Sequence, residues 1–158
     1  GLDGAWFSDF SLPERNLALL PAPLLRQLAR CLGAVAMSGC VRKVIDGEKV
    51  RFVRSRFSDE LYEFALTSGS AWERRVDKCI SERWRKEQFM ELSPQISGMR
   101  LLFVLLDSRE KALRERVRLK FHRTEAALDT PYTASQITSR PLLWHTVQSL
   151  MKSISTYV

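Results

Sequence analysis

The chain contains neither C-x-x-C nor H-x-x-x-H, and it has no G-x-x-x-x-G-K-[ST] or G-x-G-x-x-G run. The first two absences remove common zinc-ligand spacings, and the last two remove the backbone cradles that hold nucleotide phosphates. His122 and His145 are the only histidines, and neither has a Cys, Asp or Glu at metal-ligand spacing, so both read as surface or half-buried side chains. Cys31, Cys40 and Cys79 are odd in number and too sparse for a disulfide framework, which points to a reducing compartment, most simply the cytosol. Each has an apolar neighbour or lies on an apolar helical stripe, the setting of a small hydrophobe rather than of a nucleophile. Asp46-Gly47-Glu48 reads as a turn after a helix, not as a catalytic carboxylate pair. These absences predict a protein that is not an enzyme, with no metal site, no cofactor and no small-molecule substrate.

Long apolar runs are missing too. The longest stretches free of formal charge, Cys31–Val41 and Pro141–Met151, fall short of the roughly 20 apolar residues that a bilayer span needs, which predicts a soluble protein without a transmembrane segment. The opening G-L-D-G-A-W-F has no basic n-region and no continuous apolar h-region, so it does not read as a signal peptide. Gly1 in place of an initiator methionine suggests that terminal segments are missing.

What is present is an ordinary globular composition, 45% apolar and 27% charged, over 158 residues, a length that suits one core rather than two. With 25 Lys and Arg against 18 Asp and Glu the formal charge is +7, so acidic partners are favoured: nucleic acid, an anionic membrane or an acidic protein surface.

Residues 1–20 read as a loop or short helix that carries Trp6, Phe7 and Phe10. Pro21 and Pro23 mark a helix start, after which Leu24, Leu25, Leu28, Cys31, Leu32 and Val35 recur at helical spacing. Ser38-Gly39 favours a break in that helix over a close approach by another, with Val41, Val44 and Ile45 turned inward beyond it. Asp46-Gly47 reads as the helix stop, glycine taking the left-handed conformation. A short basic helix follows with Val50, Val53 and Phe57 on its apolar side, and Ser58-Asp59-Glu60 caps the next one. Ser70 and Glu73 form a capping-box pattern that opens the longest helix, whose stripe of Trp72, Val76, Cys79, Ile80 and Trp84 runs on to Leu92.

Ser93-Pro94 starts the central helix, through Leu106, and Ser108 caps another, in which Val117 and Phe121 face inward while Arg116, Arg118 and Lys120 face out. Residues 124–140 read as an irregular connection or short helix, and 141–158 as the C-terminal helix. The fold class predicted is all-α, a compact single-domain bundle spanning 1–158 with about six or seven helices.

Arg74–Lys86 and Arg109–Arg123 are basic enough to follow a phosphate backbone, and the turn after Ile45 loosely fits helix-turn-helix spacing. The interleaved Glu73, Asp77, Glu82, Glu87, Glu110 and Glu115 fit local ion pairs instead, which makes nucleic acid the lesser alternative. Lys49, Arg51, Arg54, Arg83, Arg85 and Lys86 are the candidate partner-binding residues, as dense exposed charge opposite apolar stripes.

One further pattern crosses these segments. L-L-P-A-P-L-L-R-Q-L-A-R-C-L-G, then R-K-V-I-D-G-E-K-V-R, then L-Y-E-F-A-L, and later R-V-R-L-K-F together resemble the SctK (YscK/PscK-like) accessory subunits of bacterial type III secretion systems, over roughly Leu20 to Phe121. The resemblance implies a cytoplasmic, non-catalytic helical protein, peripheral at the inner-membrane apparatus, in the sorting platform. There it would link the SctD-type inner-membrane ring component, through its cytoplasmic domain, to the SctQ-type pod protein. It carries over no catalytic or contact residues.

Overall fold

The structure, a computed structural model, describes residues 13–106, 111–121 and 130–156, and ten helices lie among them. In chain order these are α1 (Pro13–Leu19), α2 (Ala22–Lys43), α3 (Gly47–Phe57), α4 (Asp59–Leu66), α5 (Ser68–Cys79), α6 (Glu82–Glu91), α7 (Pro94–Leu106), α8 (Lys111–Arg118), α9 (Thr130–Ser135) and α10 (Arg140–Thr156). No strand occurs among the described residues, only one antiparallel bridge between Ile80 and Ile137. The all-α class therefore stands, with more helices than the six or seven expected. The added ones come from α1, from α9 inside the expected connection, and from a division of the expected longest helix.

Helix α2 is the scaffold. Proline at its first turn starts it, Arg42 and Lys43 suit the negative end of its dipole, and every residue from Cys31 to Ser38 is buried. Leu25, Leu28, Ala29, Leu32, Val35 and Ala36 join one apolar cluster with α5, α7 and α10, while Cys31, Ala34, Met37 and Val41 join a second with α3 and α4. By length and composition α2 is apolar enough to cross a membrane, but 67% of its most apolar window is buried inside the protein, as in a core helix. Counting only uncharged runs missed this length, because Arg26 and Arg30, off the buried stripe, interrupt the run along the chain.

The densest packing is between α2 and α7. Two glycines make it possible: a Cβ on Gly33 would lie 1.9 Å from the Pro94 carbonyl oxygen, and one on Gly98 would lie 1.7 Å from that of Ala29. Each helix thus brings its bare backbone against the other's backbone, a separation that side chains would prevent.

Five local expectations are corrected. Helix α2 runs unbroken through Ser38-Gly39, since Ser38 Oγ donates to the Val35 carbonyl at 3.0 Å and is also within 3.5 Å of that of Gly69; the small residues serve close approach, not a break. Asp46-Gly47 starts a helix rather than stopping one. Asp46 is the N-cap of α3, its carboxylate accepting from the Glu48 amide at 3.0 Å, and no described glycine has positive φ. Ile45, expected inward, is 90% exposed because the chain is already extended at Val44.

The expected long helix from Ser70 begins at Ser68 and stops at Cys79. Ile80 is extended there, the Ser81 amide donates to Gln136 O and the Thr138 amide to Cys79 O, both at 2.9 Å, and Ser81 Oγ caps α6 at the Trp84 amide. The apolar stripe continues across this break, Val76, Cys79, Ile80 and Trp84 all being buried, which is why periodicity concealed it. Lys120 turns inward, its Nζ donating to the Ala18 and Leu20 carbonyls at the end of α1. The expected Ser108 cap and His122 lie outside the described residues.

Candidate partner-binding surface

Little reactive chemistry is available among the described residues. Burial pushes the Cys31 and Cys79 thiols up to about 11, and Cys40 also rises through burial, partly offset by Arg85, Lys43 and Lys86. All three therefore stay protonated near neutrality. No group of three His, Cys, Asp or Glu is placed to hold a metal among the described residues, and His145 is exposed. An open cleft of about 390 Å³ beside α2 is lined by Gln27, Cys31, Phe64, Trp72, Leu150 and Ile154, and Cys31 is its one titratable group among the described residues.

The predicted binding residues fall on two helices. On α6, Arg83 Nε meets Glu87 at 3.1 Å, Lys86 meets Glu82 at 3.2 Å, and Arg85 reaches back to Asp77 at 2.6 Å. Arg85 was expected to be exposed, yet its side chain is only 13% accessible and its Nε is buried without a hydrogen-bond partner. It lines a charged depression of about 320 Å³ with Lys43, Glu73, Asp77, Glu82 and Lys86, in which cations and carboxylates balance. The Lys86 hydrogen bond and charge hold the Glu82 carboxyl below its ordinary value, and hydrogen bonds from Tyr132 and Arg83 do the same for Glu87. Helix α6 carries three cations against three carboxylates, with exposed Met90 at its end.

On α3 the balance differs: four cations stand against the single carboxylate of Glu48. Arg54 is engaged, its Nε 2.8 Å from Asp59, its Nη2 3.4 Å from Glu63 and its guanidinium over the Tyr62 ring at 5.3 Å, so it staples α3 to α4. Lys49, Arg51 and Arg56 are exposed and have no ion-pair partner among the described residues. Val53 and Phe57 are buried, with Val50 packed against them.

At the junction, Ser58 caps α4 through the Leu61 amide and accepts from Arg30 Nη2 at 3.2 Å. It does so at φ 77°, ψ 156°, a region almost reserved for glycine, so the cap is retained against backbone strain.

Reading charge alone missed Phe52, which is 60% exposed, and Arg56 beside it. Lys49, Phe52 and Arg56 recur at three and four, a spacing that stacks them on one side of α3, with Phe52 turned farthest from Val50 and Phe57. That spacing was the available signal. The structure keeps the two predicted clusters distinct in character: one balanced by its own carboxylates, the other left positive.

A family model described as YOP proteins translocation protein K (YscK) matches residues 5–157. The chain belongs to the YscK family. The match covers nearly the whole chain and reaches beyond the central segments that carried the resemblance, into the tail after Phe121. Searches of curated proteins and of solved structures return no match. Membership makes this a type III secretion accessory protein, associated with that apparatus, of a family that is not a known enzyme family.

Proposed function

We propose that the chain is a non-catalytic adaptor of the type III secretion sorting platform, lying on the cytoplasmic side and joining the SctD-type inner-membrane ring component, through its cytoplasmic domain, to the SctQ-type pod protein. The family match over residues 5–157 carries this reading. The geometry supports it, because a helical body with a positive outer face on α3 suits docking onto acidic protein surfaces.

Of the predicted residues, Lys49 and Arg51 have charge to offer a partner. Arg54, Arg83, Arg85 and Lys86 first satisfy carboxylates of the chain itself. Co-expression with the ring cytoplasmic domain and the pod protein tests the reading. The expected result is one complex holding all three on size exclusion, with ring and pod failing to co-elute when this chain is omitted. Elution of the chain free of both would refute it.

A further inference from the structure

Helix α3 is fixed on its inner side and, among the described residues, uncovered on its outer side. Val53 and Phe57 lock it into the second apolar cluster, Asp46 and Ser58 cap its two junctions, and Arg54 ties it to α4. Its outer side therefore does not need to order itself before binding, and rigid presentation removes part of the entropic cost of association. At the centre of that side stands Phe52, a large aromatic on a charged helix with no apolar packing reason to be there. Phe is an efficient anchor, large in area and limited to two side-chain torsions.

We propose that the outer side of α3, centred on Phe52 and ringed by Lys49, Arg51 and Arg56, docks an acidic segment of a protein partner that offers an apolar pocket or side chain to Phe52. This rests on the adaptor reading above and names the surface and partner chemistry that serve it. Charge complementarity fixes the sign. Docking an acidic segment here breaks no ion pair that Lys49, Arg51 or Arg56 makes among the described residues, whereas docking one at Arg83, Arg85 or Lys86 would have to compete with Glu87, Asp77 and Glu82.

The same residues argue for protein over the other acidic surfaces. A membrane-surface helix needs a broad apolar face. The broad apolar face of α3 is turned into the core, leaving Phe52 and, just before the helix, Ile45. Exposed Glu48, one turn before Phe52 on the same side, faces either acidic partner alike, but a duplex phosphate backbone offers no apolar pocket to seat Phe52. An apolar centre within a charged rim is instead the usual anatomy of a protein interface.

Calorimetric titration of the full chain against the purified ring cytoplasmic domain and, separately, the pod protein tests the proposal. The variants are Phe52→Ala and the triple Lys49→Glu/Arg51→Glu/Arg56→Glu. All four side chains are exposed, so the melting temperature should stay near wild type, and circular dichroism confirms the fold. Phe52→Ala should weaken binding to one of the two proteins about tenfold or more, to a similar degree at low and high salt. The triple variant should weaken it most at low salt, with the difference shrinking as salt screens the charges.

If wild type binds but both variants bind equally well, the surface is wrong while the adaptor reading survives. If wild type binds neither protein, both fall together. Binding of wild type to phosphatidylglycerol vesicles or to duplex DNA in place of either protein, lost in the triple variant, would overturn the proposal in favour of a membrane or nucleic-acid surface.

Discussion

Helices α3 and α6 are similar in sequence terms, each short, rich in arginine and docked by one apolar edge, yet they present different surfaces. On α6 each predicted cation has a carboxylate within reach and the helix is locally neutral. On α3 three cations surround an exposed aromatic and the helix is strongly positive. The difference teaches that a count of basic residues does not show which charges are available to a partner. Exposed ion pairs are individually weak, worth about 0 to 1 kcal/mol, but they remove the local field that draws an acidic surface in.

The largest expected effect erases the comparison by loosening the scaffold that holds both helices. In Gly33→Ala or Gly98→Ala the new methyl would overlap a backbone carbonyl, which cannot rotate away. Helix propensity favours alanine by about 1 kcal/mol, but overpacking against fixed backbone should outweigh it and leave a net loss of about 2 kcal/mol or more. Urea unfolding of each variant checks this, and a midpoint at or above wild type would show that α2 and α7 are not in close backbone contact.

A smaller effect sharpens it. Arg85→Ala removes a mostly buried guanidinium from Asp77 and should cost about 1–2 kcal/mol, while Arg51→Ala should stay within about 0.5 kcal/mol. The Arg85 charge serves folding and the Arg51 charge does not. The reverse ranking in the same denaturation series would break the distinction.

The smallest concerns pH. The carboxyls of Glu82 and Glu87 are held below their ordinary value, so the stability their pairs give is present above the ordinary glutamate range and is lost as pH falls through the lowered values. Lys49, Arg51 and Arg56 have no pair to lose among the described residues. Carboxyl NMR titration should find both glutamates low, with Lys86→Ala raising Glu82 and Tyr132→Phe raising Glu87. Ordinary values in wild type would mean that the α6 pairs do not form in solution.

Much of the scaffold was legible because its signals are local. Proline marked the starts of α2 and α7, Ser58 marked α4, and helical spacing found Leu25, Leu28, Leu32 and Val35 as core. What escaped depends on distant partners. Ser38-Gly39 reads as a break before a contact until α5 is seen beside it, and the stop after Cys79 depends on hydrogen bonds to residues 136 and 138. The D-G pair is ambiguous locally, since aspartate can cap a start as well as mark a turn.

The candidate surface was half legible. Lys49 and Arg51 were found by charge density, whereas the exposure of Phe52 and the engagement of Arg85 are set by packing between helices. The family was legible in fold-determining segments, and the match over residues 5–157 extends it without naming a contact.

One measurement bears most directly on the claim that availability, not number, of charges selects the surface. It compares Lys49→Glu/Arg56→Glu with Arg83→Glu/Lys86→Glu, two pairs of exposed residues whose reversal changes net charge equally. Affinity for whichever of the ring and pod proteins docks on α3 should fall about tenfold or more for the α3 pair and stay within about threefold of wild type for the α6 pair. Equal losses, or a larger loss from α6, would contradict it.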